Sequence, residues 1–398
     1  MSRHPQLYPW TQEIASRLPG WSPALAGVLA LWSIGMILAR RGGLDSVTTH
    51  VAALLDQSFD TARQRLREFY QEAGAKRGRN RKDFEVTTCF APLLAWVLSF
   101  GSERRLALAL DVTNLGSRFH VLCLSVLYGG IGIPVAWKIL VGNQPEAWHP
   151  HGEQLLGHLQ GAVGPDWQVL VLSDRGLESP RLFRAIRALD WHPLMRVKGG
   201  GKFRPPGWHG WYRMPAFLRQ PGGRFAMAGE AYKGAPLACT LLAGWDEGHD
   251  EPWLLLTDRP PAAGNPCWYA WRAWIEQGFK VAKSGGLNWQ HTRMTQPERA
   301  ERQFLAIAVT TLGLVAVGAQ VEREAQVETV GPLPPEPAQP ANAGRRTRRI
   351  RLFALGAAAV LAALVNHAAL PQGKLPQECW PGSTHASTIP EEGFLRSP

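Results

Sequence analysis

Cysteine is scarce in this chain, and its arrangement excludes a disulfide framework and a structural zinc site. The five cysteines are odd in number and scattered, without a Cys-x2-Cys pair. This usage indicates a reducing compartment, and the polar N-terminal stretch MSRHPQLYPWTQ lacks the apolar core of a secretory signal. A Gly-x4-Gly-Lys-Ser/Thr loop is also missing, so the sequence does not support ATP dependence. We therefore expect a cytoplasmic protein.

Acidic residues are in the minority. The 398 residues include 32 Asp and Glu against 43 Lys and Arg, for a formal net charge of +11. Such a balance favours a polyanionic partner, although a basic ribosomal or membrane-surface protein would share it. The length suffices for two or three compact units, each with its own core.

Two short apolar runs each end in an aspartate. Residues 106–112 (LALALDV) contain Asp111, and residues 169–175 (VLVLSDR) contain Asp174. Runs of this kind, bounded by turn residues, are typical of buried strands. An acid at the carboxyl end of such a strand projects at the edge of the sheet where active sites of open α/β sheets gather. A cap or turn role is the alternative for either aspartate alone.

A third acid lies in the stretch YAWRAWIEQGFKVAK, residues 269–283. Tyr269, Arg272, Glu276 and Lys283 have the spacing Tyr-x2-Arg-x3-Glu-x6-Lys, which on one helix returns all four side chains to nearly one stripe. A carboxylate between two cations suits binding of a metal ion and a phosphate together. An amphipathic surface helix with solvated charges is the alternative.

Asp111, Asp174 and Glu276 together form a candidate cluster of three carboxylates. Hard divalent ions such as Mg²⁺ prefer oxygen ligands of this kind. Two such ions can activate an attacking oxygen and stabilise a leaving one, and three carboxylates are enough to hold the pair. We expect Mg²⁺ as the cofactor, with Mn²⁺ as a substitute.

These three motifs resemble the DDE transposases of bacterial insertion sequences, in the branch marked by a YREK signature (the insertion-sequence-four family). The resemblance covers roughly residues 106–320. It implies an α/β, RNase H-like catalytic domain with a β-rich insertion, and catalytic, metal-binding roles for Asp111, Asp174 and Glu276. It also implies that Tyr269, Arg272 and Lys283 contact DNA phosphates near the element end. DNA cleavage and joining at terminal inverted repeats, a homodimer in the DNA complex and a nucleoid-associated location in a bacterium follow as expectations.

The gap from Asp174 to Glu276 is too long for a simple strand-to-helix connection, so an inserted subdomain is required. Four short apolar or alternating segments in this gap predict strands, at residues 192–198, 224–232, 237–245 and 253–258. The expected organisation is a helical basic DNA-binding region (1–100), a split catalytic domain (101–190 and 262–320), the β-rich insertion (191–261), a proline-rich linker (321–344) and a basic, apolar C-terminal helix with a disordered tail (345–398).

Basic residues in two regions are candidate DNA contacts. Helices are predicted at residues 44–55 and 58–70, the second with Asp60 as a candidate N-cap and with Arg63 and Arg67 on it. This pair could form a helix-turn-helix-like element or an exposed charged helix. In the insertion, aromatic and cationic side chains alternate in a way that suits stacking on splayed bases, although packing of the tryptophans is the alternative. These residues are Lys198, Lys202, Arg204, Trp208 and Trp211.

Two apolar stretches imitate membrane spans. Residues 24–38 are short for a bilayer, and residues 352–370 follow a run of arginines at 345–351. The abundance of alanine, together with Asn366 and His367, favours a buried C-terminal helix over a membrane anchor. We therefore expect no stable membrane association. Three rival functions stay open at this point: an RNase H-fold nuclease without strand transfer, a non-catalytic DNA-binding relative, and a membrane-anchored basic protein.

Overall fold

A helical region packs against one large mixed sheet in the computed structural model of this protein. The described residues are 4–77, 82–101, 104–143, 148–218, 220–247, 250–324 and 351–376. Most of the predicted linker, the arginines from 345 to 349 and the predicted tail after residue 376 lie outside the described residues.

Among the described residues of the N-terminal hundred there are five α-helices, in agreement with the predicted helical pattern. They are α1 (Tyr8–Arg17), α2 (Pro23–Ala39), α3 (Leu44–Leu55), α4 (Phe59–Tyr70) and α5 (Phe90–Leu98). The N-cap of α4 is Ser58, whose hydroxyl accepts a hydrogen bond from the Thr61 amide, so the expectation of Asp60 as the cap was wrong. Asp60 lies in the first turn of α4 instead, where its negative charge interacts favourably with the positive end of the helix dipole. Whether this region binds DNA stays a prediction.

The sheet contains ten strands among the described residues, in the order β3-β2-β1-β4-β5-β10-β9-β8-β6-β7. Their bounds are β1 (Arg105–Leu115), β2 (Phe119–Tyr128), β3 (Ile131–Val141), β4 (Gln168–Ser173), β5 (His192–Arg196), β6 (Lys202–Arg204), β7 (Tyr212–Arg213), β8 (Arg224–Ala231), β9 (Leu237–Gly244) and β10 (Trp253–Thr257). The strands β1, β4 and β5 are parallel neighbours, and the other pairs in the sheet are antiparallel. Both predicted aspartate strands are therefore confirmed, and they are adjacent.

The predicted strands of the insertion are confirmed as β5, β8, β9 and β10. They continue the central sheet, because β5 pairs with β4 on one side and with β10 on the other. Of the residues predicted as DNA contacts in the insertion, Lys202 and Arg204 lie in the short strand β6. Trp208 and Trp211 lie between β6 and β7, and Lys198 precedes β6. The strands of the insertion therefore belong to the same hydrogen-bonded sheet as β1 and β4, and they extend it to the edge strand β7.

The remaining helices cover the sheet and close the fold. They are α6 (His149–His158), α7 (Pro180–Arg187), α8 (Ala273–Lys280), α9 (Pro297–Glu324) and α10 (Arg351–Val365). The backbones of α9 and α10 pack closely at two glycines that have no Cβ. An added Cβ on Gly318 would lie 1.9 Å from the Leu352 carbonyl oxygen, and one on Gly356 would lie 1.9 Å from the Leu314 carbonyl oxygen. Two glycines therefore let the helix backbones touch.

The predicted C-terminal apolar helix is present and packs on the protein. Phe353 and Ala357 of α10 are fully covered, and the helix ends at Val365, before Asn366. Among the described helices, α9 alone is long and apolar enough to cross a membrane, and 83% of its apolar window is buried inside the protein. The helices α2 and α3 pass the same test only as a pair bent by 101°. The apolar composition of α9 is therefore that of a helix buried in the core of the protein.

Candidate active site

Asp111 and Asp174 are neighbours in the sheet, because each directly follows the last paired residues of β1 and β4, Leu110 and Ser173. Asp174 follows the end of its strand as expected, whereas β1 continues past Asp111 to Leu115, so the expectation that Asp111 ends its strand was wrong. Asp111 lies in β1, with a side chain 9% exposed, and Asp174 directly follows β4. Each carboxylate is fixed by a backbone amide: that of Val112 donates to Asp111 Oδ1 at 2.8 Å, and that of Gly176 to Asp174 Oδ1 at 2.9 Å. Because both strands lie in the middle of the sheet, the two acids are held by rigid backbone.

The signature stretch is not one regular helix, so the expectation of a single stripe was only approximate. A 3₁₀-helix (Pro266–Arg272) leads into α8, and a π-helical turn (Val281–Gly285) follows it. Segments of π-helix are rare and often occur at functional sites. Here the type of helix changes twice, so the signature residues lie on three different helical segments.

Arg272 is the centre of the site. Its Nη2 donates to Asp111 Oδ2 at 2.9 Å and lies 3.6 Å from Asp174 Oδ2. Its Nη1 donates to Glu276 Oε1 at 2.7 Å, one turn further along the chain. One guanidinium therefore joins all three predicted carboxylates, although they come from three different elements of the fold.

Two glycines that the sequence analysis did not single out set the position of α8. A Cβ on Gly278 would lie 2.4 Å from the carbonyl oxygen of Gly132 in β3, and one on Gly132 would lie 2.8 Å from Cα of Ile275. The helix therefore rests directly on the strand backbone. This close approach brings Glu276, which lies between Ile275 and Gly278, to the level of the two aspartates. Glycines within apolar sequence offered only a weak signal for such a contact.

Burial and charge shift the pKa values within this cluster. Burial raises the pKa of the Asp111 carboxyl to about 6, with Arg272 opposing the rise and the negative charge of Asp174 adding to it. Burial also disfavours the charged form of Arg272, but the neighbouring acids outweigh that effect and raise the pKa of its guanidinium. The arginine stays charged, and the net charge of three ionised carboxylates and one guanidinium would be negative.

The donor set fits a hard divalent cation by chemistry, but its present geometry is that of an ion-pair cluster. Within the described ranges, no three His, Cys, Asp or Glu side chains already form a metal-binding group. Arg272 supplies the positive charge between the acids instead. Glu276, with a side chain 57% exposed, is the most exposed of the three acids and has the most room to change rotamer. A cation would thus bind with some rearrangement of Arg272 and Glu276.

Lys283 and Tyr269, the other two signature residues, lie in different surroundings. Lys283 Nζ donates to Thr113 Oγ1 at 3.0 Å, and Thr113 is two residues beyond Asp111 on the same face of β1. Tyr269 is only 5% exposed, with its ring 5.4 Å from that of Trp253. Burial raises the pKa of its phenol well above the usual range. The structure therefore brings Lys283 to the site, whereas Tyr269 is buried against Trp253.

The other predicted DNA contacts form two groups away from the carboxylates. Arg63 is paired with Asp45 at 2.8 Å, and Arg67 is exposed on α4. In the insertion, Arg204 lies over the ring of Trp211, with 5.0 Å from its Cζ to the ring centroid. Arg204 Nε also donates to Glu230 at 2.8 Å, which partly neutralises it.

Aromatic packing completes the insertion group. The rings of Trp208 and Tyr212 meet edge to face at 4.9 Å, and Lys198 and Lys202 are exposed nearby in the sequence. Six strand steps separate β6 from β1, or about 30 Å along the sheet at ~4.8 Å per step. This group is therefore a separate surface from the carboxylate site.

A comparison with known protein families finds a match to one domain family. Residues 141–312 match the family described as "Transposase DDE domain". The matched range includes Asp174 and the whole signature, and it begins after Asp111. No curated protein matches the chain. The match covers less than half of the chain and supports a DDE transposase domain in the matched residues.

A solved structure described as a "piggyBac transposase synaptic complex with hairpin DNA" is also similar to this chain. It shares 11% sequence identity, covers 78% of this chain and 73% of its own, and aligns with a TM-score of 0.38. Similarity at this level is too low to transfer residues from one protein to the other.

Proposed function

We propose that this protein is a DNA transposase of the YREK branch, which cleaves and joins DNA at the ends of an insertion sequence in cut-and-paste transposition. The observation that carries the proposal is the convergence of Asp111, Asp174 and Glu276 on Arg272. Three acids and a cation at the carboxyl edge of parallel strands are the parts that metal-assisted phosphoryl transfer needs. The match of residues 141–312 to the transposase DDE domain supports the same function.

Asp111, Asp174 and Glu276 would hold two Mg²⁺ ions, with Mn²⁺ as a substitute. When bound, the ions supply activation of the attacking oxygen and stabilisation of the leaving oxygen. The protein contributes rigid placement, since backbone amides hold Asp111 and Asp174 before any ligand arrives. Such fixed placement reduces the reorganisation that the reaction requires.

Arg272 and Lys283 would contact the phosphates of the element end. Arg272 has a planar, permanently charged guanidinium, which can release a carboxylate and bind a phosphate in its place. Lys283 lies beside Thr113, on the same strand as Asp111, so a phosphate near the metal ligands would be within its reach. Tyr269 is packed against Trp253, and its contribution to DNA binding would pass through the position of Arg272, three residues on.

Further DNA would lie along the two basic surfaces. Arg63 and Arg67 of the helical region, and Lys198, Lys202, Arg204, Trp208 and Trp211 of the insertion, are the candidate contacts. The strand order β3-β2-β1-β4-β5, with β4 and β5 parallel to β1, supports an RNase H-like catalytic core. A homodimer on DNA and a place in the cytoplasm of a bacterium, at the nucleoid, complete the proposal.

The test uses the purified full chain and DNA that carries the terminal inverted repeats found beside the gene. With Mg²⁺ present, the parent protein should nick the repeat end, leave a 3′-hydroxyl and join that end to target DNA. Asp111→Asn, Asp174→Asn and Glu276→Gln should each abolish cleavage and leave DNA binding nearly unchanged, because binding depends on dispersed cations. The matched control is Asp190→Asn, at an exposed left-handed position (φ 58°) that asparagine tolerates.

Each outcome of this test distinguishes the candidates. Parental cleavage by any one of the three variants would remove that residue from the metal site. Cleavage without joining would indicate a nuclease, and specific binding without metal-dependent cleavage would indicate a non-catalytic relative. Binding across a salt series adds a check on contacts, because Lys283→Gln should lower the log–log slope by about 0.9 if it loses one phosphate.

A further inference from the structure

A pair of arginines beside Asp174 has no role in the function proposed above. Arg175 directly follows Asp174, and Arg196 is the last residue of β5, the strand that pairs with β4. In this parallel pairing Ser173 lies opposite Met195, and Asp174 and Arg196 come next on the two chains. Both arginines therefore adjoin one of the three acids of the carboxylate site.

Arg196 also lies near the signature stretch. Burial raises the pKa of the Tyr269 phenol, and the charges of Arg272 and Arg196 both oppose that rise. The charge of Arg196 thus acts on the same buried phenol as the guanidinium that joins the three acids.

One carboxylate joins the two arginines. Glu251, in the connection between β9 and β10, accepts hydrogen bonds from Arg175 Nη1 at 2.9 Å on Oε1 and 3.2 Å on Oε2. Its Oε1 also accepts from Arg196 Nη2 at 2.7 Å. Two guanidiniums and one carboxylate leave a formal charge of +1. Because guanidinium groups match the oxygens of carboxylates and phosphates equally well, Glu251 occupies a position that suits a phosphate.

Solvent reaches all three side chains of this group. The exposed fractions are 49% for Arg175, 21% for Arg196 and 53% for Glu251. Ion pairs that are this exposed contribute little to stability, because water and salt screen the charges. A ligand can therefore reach the arginines and replace Glu251 at small cost.

We propose that Arg175 and Arg196 form a binding site for a backbone phosphate of DNA, and that Glu251 occupies this site until DNA replaces it. The inference rests on the proposed function, since it places a further phosphate of the same DNA beside the carboxylate site. Glu251 is then an internal competitor, and the protein binds DNA less tightly than its cations alone would allow. Because every DNA sequence carries the same backbone phosphates, the effect does not depend on the sequence of the repeat.

The test measures the DNA affinity of the full chain by fluorescence anisotropy, in EDTA and at fixed salt, so that no cleavage occurs. One duplex carries the repeat end, and a second has a scrambled sequence of the same length. Glu251→Gln removes the charge of the competitor and should raise the affinity for both duplexes about three- to fivefold, as expected for loss of an exposed ion pair. The matched control is Asp250→Asn, at an exposed acid that pairs with neither arginine in the described structure. This control should raise the affinity less than about twofold, through net charge alone.

Replacing the arginines should have the opposite effect. Arg175→Gln and Arg196→Gln should each weaken binding about fivefold and lower the log–log salt slope by about 0.9, the value for one lost phosphate contact. In a variant that lacks both arginines, Glu251→Gln should raise the affinity no more than Asp250→Asn does, because no site is left to compete for. If Arg196→Gln disturbs the fold, Arg175→Gln decides, since its side chain is the more exposed of the two. Equal effects of Glu251→Gln and Asp250→Asn, or parental affinity in Arg175→Gln, would overturn the proposal.

These measurements separate the failure of this site from the failure of the proposed function. A parent protein that cleaves and joins DNA in Mg²⁺, while Glu251→Gln gains no affinity, would keep the function and overturn the site. A parent protein that neither cleaves nor joins, while Glu251→Gln binds more tightly as expected, would keep the site and overturn the transposase. Absence of DNA binding by the parent protein would overturn both.

Discussion

Arg272 Nη2 donates to Asp111 Oδ2 at 2.9 Å, across 161 residues of sequence. The pair sits where the central strand β1 meets the start of α8. The same guanidinium also reaches Asp174 and Glu276. It therefore neutralises part of a cluster whose acids would otherwise repel one another, and it occupies the space in which a cation would bind.

Replacing this arginine should destabilise the metal-free protein. In Arg272→Gln the acids lose their shared counter-charge, and removal of one partner from a buried ion pair costs about 3–5 kcal/mol. With a side chain still 17% exposed, we expect the lower end of that range. Urea unfolding in EDTA measures the loss. Added Mg²⁺ should stabilise the variant more than the parent, because the ion no longer competes with a guanidinium.

The control for that experiment is a surface pair. Arg63→Gln breaks the ion pair with Asp45, whose side chain is 70% exposed, and should change stability by less than about 1 kcal/mol. Equal Mg²⁺ stabilisation of Arg272→Gln and the parent would show that the arginine and the ion do not share a site.

The backbones of α8 and β3 are too close at Gly278 to accommodate an added methyl group. Gly278→Ala places a Cβ against the Gly132 carbonyl, which forces the helix away from the strand and moves Glu276 with it. We expect a loss of about 1–3 kcal/mol of stability, as overpacked positions show, and a larger loss of metal-dependent cleavage. Thermal unfolding and the cleavage assay measure the two effects separately.

The matched control is Gly157→Ala. Gly157 lies in α6, and nothing lies within 4 Å of an added Cβ there. Since alanine favours a helix over glycine by up to about 1 kcal/mol, this variant should be as stable as the parent or more so. Parental cleavage in Gly278→Ala would mean that the site does not depend on the close approach.

An ion pair between the helical region and α9 should give a pH-dependent contribution. Arg299 donates to Glu72 at 2.7 and 2.9 Å, and this hydrogen bonding lowers the pKa of the Glu72 carboxyl to about 2. A lowered folded-state pKa stabilises the protein above the unfolded value of about 4.3, and the contribution is lost as the pH falls towards 2.

Glu72→Gln should therefore cost stability at pH 7, and its difference from the parent should shrink below about pH 4.3. Because Glu72 is 42% exposed, we expect less than about 1 kcal/mol. Urea unfolding at low salt from pH 3 to pH 7 tests this, with Asp190→Asn as the control. A difference that is constant with pH would show that the pair contributes through packing and not through charge.

Removal of the C-terminal helix should expose part of the core. Truncation after Pro340 deletes α10, which covers α9 through backbone contact at Gly318 and Gly356. The truncated protein should unfold at lower temperature, and it should bind DNA less tightly if the arginines from 345 to 351 contact DNA. Truncation after Pro376 removes only residues outside the described range and should have little effect on stability. A protein that is more soluble after the longer truncation, with unchanged DNA affinity, would favour a membrane or tail role.

The sequence by itself determined the strands and the chemistry of the acids. The apolar runs before Asp111 and Asp174 and the spacing of the signature are local signals. They depend only on residue type and on periodicity over a few neighbouring positions, so they can be read from the sequence. The predicted helices of the N-terminal region and the predicted strands of the insertion follow from the same kind of signal.

Only the tertiary structure decided how these parts meet. The placement of Arg272 between three acids, the π-helical turn that carries Lys283 to Thr113, and the contact of Gly278 with Gly132 all join residues that are distant in sequence. Such contacts depend on the closure of a sheet and the docking of a helix, and no local pattern encodes them. Burial likewise separated Tyr269 from Lys283, because the 3₁₀ and π segments turn the two side chains into different surroundings.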